Sequence, residues 1–405
     1  MGRELDLTNW SRYRRALGDE PLPAALCDLD AFEANARLLF GLARKANRQV
    51  RIATKSVRCP SLVARLLDLG GDCVRGLMTF SAAETAWLAK QGHTDLLLAY
   101  PTLHPRDCQM VAEANRSARA ALVVDDWAQV EVIARAGVAA GVRVPLVLDV
   151  DASYRPFESA RVHLGVRRSP LRAARAIADL AERIAGERGA CFLGLMSYEA
   201  QVAGLPDRGG GALQAAAVRA MKRRSIAALR SSRAEIVSEL VARKLVPTLF
   251  NGGGTGSIAL CGDDPSLDEL TIGSGFLASH LFDHIDAIAL RPALSFALQV
   301  TRRPAPGLVT CAGGGVIASG EAGLSRLPHP WLPPGLSLLP HEGAGEVQTP
   351  LRVPANVELP LGAPVLFRPA KAGESLERFN ELLLVRGAQI ESRAQTYRGH
   401  GFAFG

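Results

Sequence analysis

Eight short apolar runs recur along the chain, each trailed by a longer polar-striped segment rich in Ala, Leu and Arg. They fall at 49–55, 73–79, 95–100, 120–125, 144–151, 191–197, 246–251 and 268–273. Nearly continuous apolar character over so short a length marks a strand buried on both faces of a parallel sheet. The segments at 60–69, 81–91, 107–118, 127–140, 170–187 and 211–244 carry the spacing of helices. Eight strands alternating with helices predict a protein of the α/β class built on a (β/α)8 barrel. An earlier run, 24–30, leads into a helix at 31–47 and precedes the barrel proper.

The rhythm breaks near residue 290. Beyond it, β-like stretches at 294–301, 307–311, 364–368 and 383–389 lie among many prolines and glycines. The expected layout is therefore a barrel over 23–290 and a C-terminal β-rich domain over 291–405. Segment 326–340, "RLPHPWLPPGLSLLP", reads as a proline-rich loop of that domain.

Composition narrows the function classes. No apolar run is long enough to span a bilayer, and the first twenty residues hold no leader-like apolar core, so a cytoplasmic protein with no membrane partner is expected. The net charge of +7 does not indicate nucleic acid, because the arginines are spread over the helices and aromatic residues make up only 5%. Attraction of small anions accounts for it more simply. Seven cysteines, odd in number and without CxxC spacing, indicate reduced thiols.

Barrels carry their chemistry at the C-terminal ends of the strands, with phosphate sites favoured after strands seven and eight. Run seven is followed by Asn251-Gly-Gly-Gly-Thr-Gly-Ser257 and run eight by Gly273-Ser-Gly275. Glycines let backbone N–H groups approach a phosphate closely, and Thr255, Ser257 and Ser274 add hydroxyl donors. Lys55, one of only six lysines in the chain, ends run one and would project from the same mouth. A lysine facing a phosphate-anchored ligand points to a Schiff base, and pyridoxal phosphate is the phosphate-bearing aldehyde that forms one. An ordinary solvent-facing lysine at a strand end is the competing reading.

The stretches "LCDLDAFEANARLL", "RIATKSVRCP", "LLLAYPT", "GLMSYEA", "NGGGTGS" and "ELTIGSG", in this order, resemble the fold-type III pyridoxal phosphate enzymes. The resemblance lies nearest the D-threonine aldolase and D-serine dehydratase branch, with alanine racemase more distant. It implies Lys55 as the Schiff-base lysine, Gly254, Thr255 and Gly256 with Gly273, Ser274 and Gly275 as the phosphate cradle, and Tyr198 beside the cofactor. Gln201 stands where relatives often carry histidine. The resemblance further implies that residues 1–22 join the β domain and that two copies pair as a homodimer.

Two departures from the pattern matter. Where many relatives direct an arginine at the pyridine nitrogen, this chain has His163-Leu-Gly-Val166, with Arg161 and Arg155 nearby as possible substitutes. A histidine here could equally be a structural residue bonded to a carbonyl. Where the branch holds a divalent metal through a His-x-Cys pair, Lys371 and Gly373 stand instead. Glycine has no ligand atom and an ammonium repels a cation, so no metal is expected at that place. Lys371 would either act on substrate or pair with a nearby glutamate. His341 and Glu342 are rim candidates; His280 and His284 lack a third ligand; Cys27 and Cys59 read as packing residues.

The expected activity is a pyridoxal phosphate-dependent lyase, an aldolase or a dehydratase/deaminase, acting on a β-hydroxy amino acid of D configuration. Lys55, Tyr198 and Lys371 are the catalytic candidates. A racemase is the alternative, but it needs a second base, and Tyr397 is the only tyrosine beyond residue 291. A non-catalytic cofactor-binding protein and a sugar-phosphate aldolase using Lys55 are further alternatives.

Overall fold

The computed structural model describes residues 2–156, 162–208 and 211–404. Among these, eight parallel strands close into a barrel: β2 (Gln49–Ala53), β3 (Val74–Thr79), β4 (Asp95–Leu98), β5 (Arg119–Val124), β6 (Val144–Asp149), β7 (Ala190–Ser197), β8 (Leu249–Gly252) and β9 (Glu269–Ile272). Closure is made by β2 against β9, with Gln49 opposite Glu269 and Ile52 opposite Ile272. All eight expected runs supply a barrel strand. The intervening helices bury one face each; in Ala174–Ala185 that face is Ile177, Ala178, Leu180, Ala181 and Ile184. Burial of each large apolar side chain stabilises the fold by about 2 kcal/mol.

The barrel interior is not wholly apolar. Leu97, Val123, Val147, Met196 and Leu249 pack together there, and Arg51 crosses nearby, 1% exposed. Its guanidinium is held by Glu269 at 2.5 Å and Asp95 at 3.0 Å. A buried charge without partners would cost several kcal/mol, so the pairing is obligatory. Asn251 Nδ2 donates to Glu269 Oε1 and to Thr271 Oγ1, both at 2.8 Å, carrying the polar chain up to the barrel mouth.

The second unit is a nine-stranded sheet containing β1 (Ala24–Asp28), β10 (Leu294–Ala305), β11 (Leu308–Ala312), β12 (His329–Leu332), β13 (Ser337–Leu338), β14 (Gln348–Arg352), β15 (Pro364–Arg368), β16 (Glu381–Arg386) and β17 (Gln389–Gln395). The early run at 24–30 thus enters this sheet, with β1 antiparallel to β10 and parallel to β16. Asp28 then turns the chain back towards the barrel by capping helix Leu29–Lys45, accepting from Ala31 N at 3.0 Å. The N-terminal helix Gly2–Leu17 lies on the sheet, with Tyr13 against Trp331.

Two local expectations change. Segment 326–340 contains β12 and β13: His329, Pro330 and Leu332 pair with β15, and Ser337 and Leu338 pair with β14. The run 383–389 is a hairpin, not one strand: Arg386 pairs with Gln389 across a two-residue turn whose Gly387 has φ +56°. No helix among the described residues is long and apolar enough to cross a membrane.

Candidate active site

A cavity of about 160 Å³ opens at the C-terminal mouth of the barrel. Lys55, Tyr100, Arg168, Tyr198, Asn251 and Thr271 line it, together with Gly253, Gly254, Thr255, Gly256, Gly273 and Ser274. Sequence positions more than two hundred residues apart therefore meet at one place, as strand ends of a barrel must.

Lys55 sits in a single 3₁₀ turn, Thr54–Ser56, directly after β2. Its Nζ donates to Tyr100 Oη at 2.7 Å. The turn is clamped from outside by the β-rich unit. Arg58 has φ +43°, the left-handed region that a branched or long side chain adopts only under constraint. Its Nε donates to the Lys55 carbonyl at 2.9 Å, its guanidinium pairs with Glu377, and its own carbonyl accepts from Tyr397 N at 2.9 Å. Gly373 closes the clamp: a Cβ there would lie 1.8 Å from the Lys55 carbonyl oxygen, so no side chain fits.

Behind this turn lies Glu84, fully buried. It accepts from Phe80 N at 2.8 Å and from the Tyr397 hydroxyl at 2.8 Å. Burial pushes its carboxyl up to about 7 despite the hydrogen bonds it receives. Tyr397 is itself 1% exposed and packs edge-on against Trp87.

The glycine-rich end of the cavity is stitched together by side-chain hydroxyls of its two loops. Thr255 Oγ1 accepts from Gly275 N at 3.1 Å, joining the loops after β8 and β9. Ser274 Oγ lies 2.9 Å from Ser56 Oγ, tying the second loop to the lysine turn. Space here admits only glycine: a Cβ at Gly256 would meet the Ala203 carbonyl at 2.1 Å, and one at Gly275 would meet Thr255 Cγ2 at 2.3 Å. Under the loop, Ser257 Oγ donates to Glu199 at 2.6 Å and accepts from Gly254 N at 2.9 Å. Burial alone would raise Glu199, but Arg233 at 2.7 Å and the Ser257 and Cys261 hydrogen bonds outweigh it and hold the carboxyl below its usual range.

The opposite end is built from side chains. Tyr198 follows β7 and its phenol is pushed up to about 12, by burial first and by the Glu199 charge second. The Arg168 guanidinium stands 5.7 Å from the Tyr198 ring centroid. Asp149, at the end of β6, is raised to about 7 by burial and then by Asp125, against the opposing charge of Arg168.

The sequence-derived candidates divide accordingly. Lys55, Tyr198, Gly254, Thr255, Gly256, Gly273 and Ser274 line the cavity, and Gly275 packs on Thr255 just behind it. His163 and Gln201 do not line it. His163 Nε2 lies 3.2 Å from the Val166 carbonyl, the local structural arrangement. Gln201 is buried, donating to the Ala152 carbonyl at 2.7 Å and Ser225 Oγ at 2.8 Å, while its Oε1 has no partner. Arg161 lies outside the described residues, and Arg155 is paired with Asp151 at 2.6 Å. Lys371 is also outside the lining: its ammonium donates to Ser319 Oγ at 2.8 Å and Glu374 at 3.0 Å.

Sequence reasoning missed Tyr100, Arg168, Asn251, Thr271 and Ser56 as cavity residues. Tyr100 carried a usable signal, since it ends the third run within "LLLAYPT". Arg168 carried none, being one arginine of a pair, Arg167-Arg168, on an irregular segment.

A lysine at the end of the first barrel strand, facing two glycine loops after the last two, defines an alanine racemase-like barrel. The chain matches the alanine racemase N-terminal domain family over residues 27–261, more than half its length, and belongs to that family. It is 24% identical over 375 residues to a D-threonine aldolase of Arthrobacter sp, covering 91% of this chain and 90% of that protein. The crystal structure of D-threonine aldolase from Filomicrobium marinum superposes with a TM-score of 0.81 at 22% identity, covering 95% and 97% of the two chains. D-threo-3-hydroxyaspartate dehydratase from Delftia sp. HT23 gives 0.72 at 18% identity, covering 93% and 97%.

Pyridoxal phosphate is the cofactor of these fold-type III enzymes. The residues present fit it. The glycine-only end offers backbone to a phosphate, Lys55 offers an amine to an aldehyde, and Tyr198 walls the space between.

Proposed function

We propose that this protein is a pyridoxal phosphate-dependent lyase that cleaves a D-configured β-hydroxy amino acid, as an aldolase or as a dehydratase releasing ammonia, without a metal at the Lys371–Gly373 position. When bound, the cofactor supplies an electron sink for a bond broken at Cα. The chain's own residues do the rest. Gly254, Thr255, Gly256, Gly273 and Ser274 would hold the phosphate, Tyr198 and Arg168 would bound the ring end, and Lys55 would offer its amine to the aldehyde and, when free, move a proton at Cα. Lys371, fixed by Ser319 and Glu374, supplies positive charge on the β-domain side of the mouth. A homodimer in the cytoplasm belongs to the same reading, supported by the resemblance and by seven unpaired cysteines.

The observation that carries a lyase over a racemase is the engagement of Tyr397. A racemase needs a second base across the substrate from the lysine, and this tyrosine, the sole one in residues 291–405, is buried with its hydroxyl committed to Glu84. The test is an absorbance spectrum of the purified protein beside Lys55→Ala, before and after D-threonine, D-serine or D-threo-3-hydroxyaspartate, with product analysis. A visible band in the wild type alone that shifts with substrate, followed by aldehyde plus glycine or keto acid plus ammonia, is expected. Interconversion of D- and L-alanine without cleavage products would overturn the lyase reading.

A further inference from the structure

Lys55 has an unusual proton environment. Among the described residues no carboxylate lies within ion-pair distance of its Nζ, and the phenol of Tyr100 is its one hydrogen-bond partner, at 2.7 Å. Nζ stands 5.5 Å from the Tyr100 ring centroid, off the tip of the phenol in line with its C–O bond, so the hydroxyl and not the ring face meets the amine. Three carboxylates of the barrel strands and loops are paired elsewhere: Glu199 with Arg233, Glu269 with Arg51, Asp95 with Arg51 and Arg119. Tyr100 is held firmly enough to serve as a fixed partner. It follows β4 directly, with Ala99 N bonded to the Thr79 carbonyl at 3.1 Å, and Pro101 after it stiffens the exit.

We propose that Tyr100 is the proton carrier of Lys55, a catalytic residue for every step in which this lysine joins or leaves the cofactor. The inference rests on the functional reading above, in which Lys55 bonds the aldehyde. When it does, a carbon–nitrogen double bond forms and the aldehyde oxygen leaves as water. The two protons that complete that water come from the amine nitrogen. Tyr100 takes one from Nζ as its own passes to the departing oxygen, and its hydroxyl is restored at the end, so no charge or electron is left over. In release of Lys55 by an incoming substrate amine, the new carbon–nitrogen double bond would form as the one to Nζ breaks, no water takes part, and the two protons of the incoming amine would pass to Nζ through the same phenol.

The experiment strips the full-length protein of cofactor, then follows the visible band on readdition of pyridoxal phosphate by stopped flow. Wild type, Tyr100→Phe and Lys55→Ala are compared in H₂O and D₂O, and displacement of Lys55 by an added amino acid is timed in the reloaded proteins. Tyr100→Phe keeps the ring and its packing, so melting should match the wild type. Band formation and displacement are both expected to slow by roughly 100-fold with little change in final amplitude, and the solvent isotope effect of the wild type should disappear. A Tyr100→Phe protein as fast as wild type, with the same isotope effect, overturns the assignment of Tyr100 while leaving Lys55 in place. A Lys55→Ala protein that still forms the wild-type band overturns the functional reading itself, and the inference with it.

Discussion

The two ends of the cavity are built in opposite ways. At the glycine-rich end, five glycines and two hydroxyls from the loops after β8 and β9 hold the backbone in one arrangement, and two of the glycines sit where a Cβ would meet its neighbours at 2.1 and 2.3 Å. At the opposite end, Tyr198 and Arg168 come from two different segments and reach the cavity with their side chains. A backbone-built site demands one residue type at fixed positions. A site built from side chains can receive the same group from any segment within reach, so its chemistry persists while its sequence position drifts.

Lys55 serves both ends, so its loss should be the largest effect. Lys55→Ala is expected to lose the visible band and to reduce turnover by roughly three orders of magnitude or more. A variant that retains measurable turnover with added small amines and no band would still fit; full activity would not.

The comparison sharpens with one substitution at each end. Gly275→Ala forces a methyl towards Thr255 and should weaken cofactor binding on the order of 100-fold, since overpacking costs about 1–3 kcal/mol and disturbs the cradle as well. Arg168→Ala should cost about tenfold in cofactor affinity and shift the absorbance maximum, whereas His163→Ala should change neither by more than about twofold, its ring being spent on the Val166 carbonyl. Equilibrium titration with pyridoxal phosphate measures all three. If His163→Ala proved the more damaging of the ring-end pair, the assignment of that end to Arg168 would fail.

This contrast also explains what the sequence made legible. The barrel was readable because parallel strands buried on both faces leave short, continuous apolar runs, and the place of the two glycine loops because they directly follow the last two of those runs. The place of Arg168 in the cavity lining was hidden because the segment around it has no periodicity. Gln201 was misplaced for a related reason: its neighbour Tyr198 reaches the cavity, but three residues on in a new helical turn the side chain points back to Ala152 and Ser225. The hairpin at Gly387 escaped because its turn is only two residues long, Gly387-Ala388, and carries neither proline nor asparagine to mark it.

The clamp on the lysine turn makes a pH-dependent prediction. Glu84 sits near 7 in the folded protein against an ordinary value of 4.5, raised by burial. The folded state therefore binds more protons between those values. Its contribution is fully present below about 4.5 and is lost as pH rises through about 7. Glu84→Gln, which keeps the Tyr397 contact but cannot ionise, should flatten the fall in stability over this window by about 1–3 kcal/mol in urea titrations. An unchanged slope would mean Glu84 is ionised throughout, and the remaining fall would then be assigned to Asp149, which is raised to about 7 by its own burial.

The smallest expected effect is that of chelation. The position that the resemblance sets against a metal-binding cysteine is Gly373, and its backbone lies so close to the Lys55 carbonyl that a side chain there would occupy the same space. The position answering to the histidine is Lys371, whose ammonium is held by Ser319 and Glu374. Among the described residues no cluster of three His, Cys, Asp or Glu side chains is arranged for a metal. Dialysis against EDTA should therefore leave turnover unchanged within error, and added divalent cations should not raise it. The complementary change, Lys371→Ala, should lower turnover by about tenfold if the ammonium stands in for a cation at the substrate oxygen, with cofactor affinity and the visible band unaltered. Loss of activity on chelation, restored by a divalent metal, would place the cation elsewhere in the mouth and return Lys371 to a purely structural role.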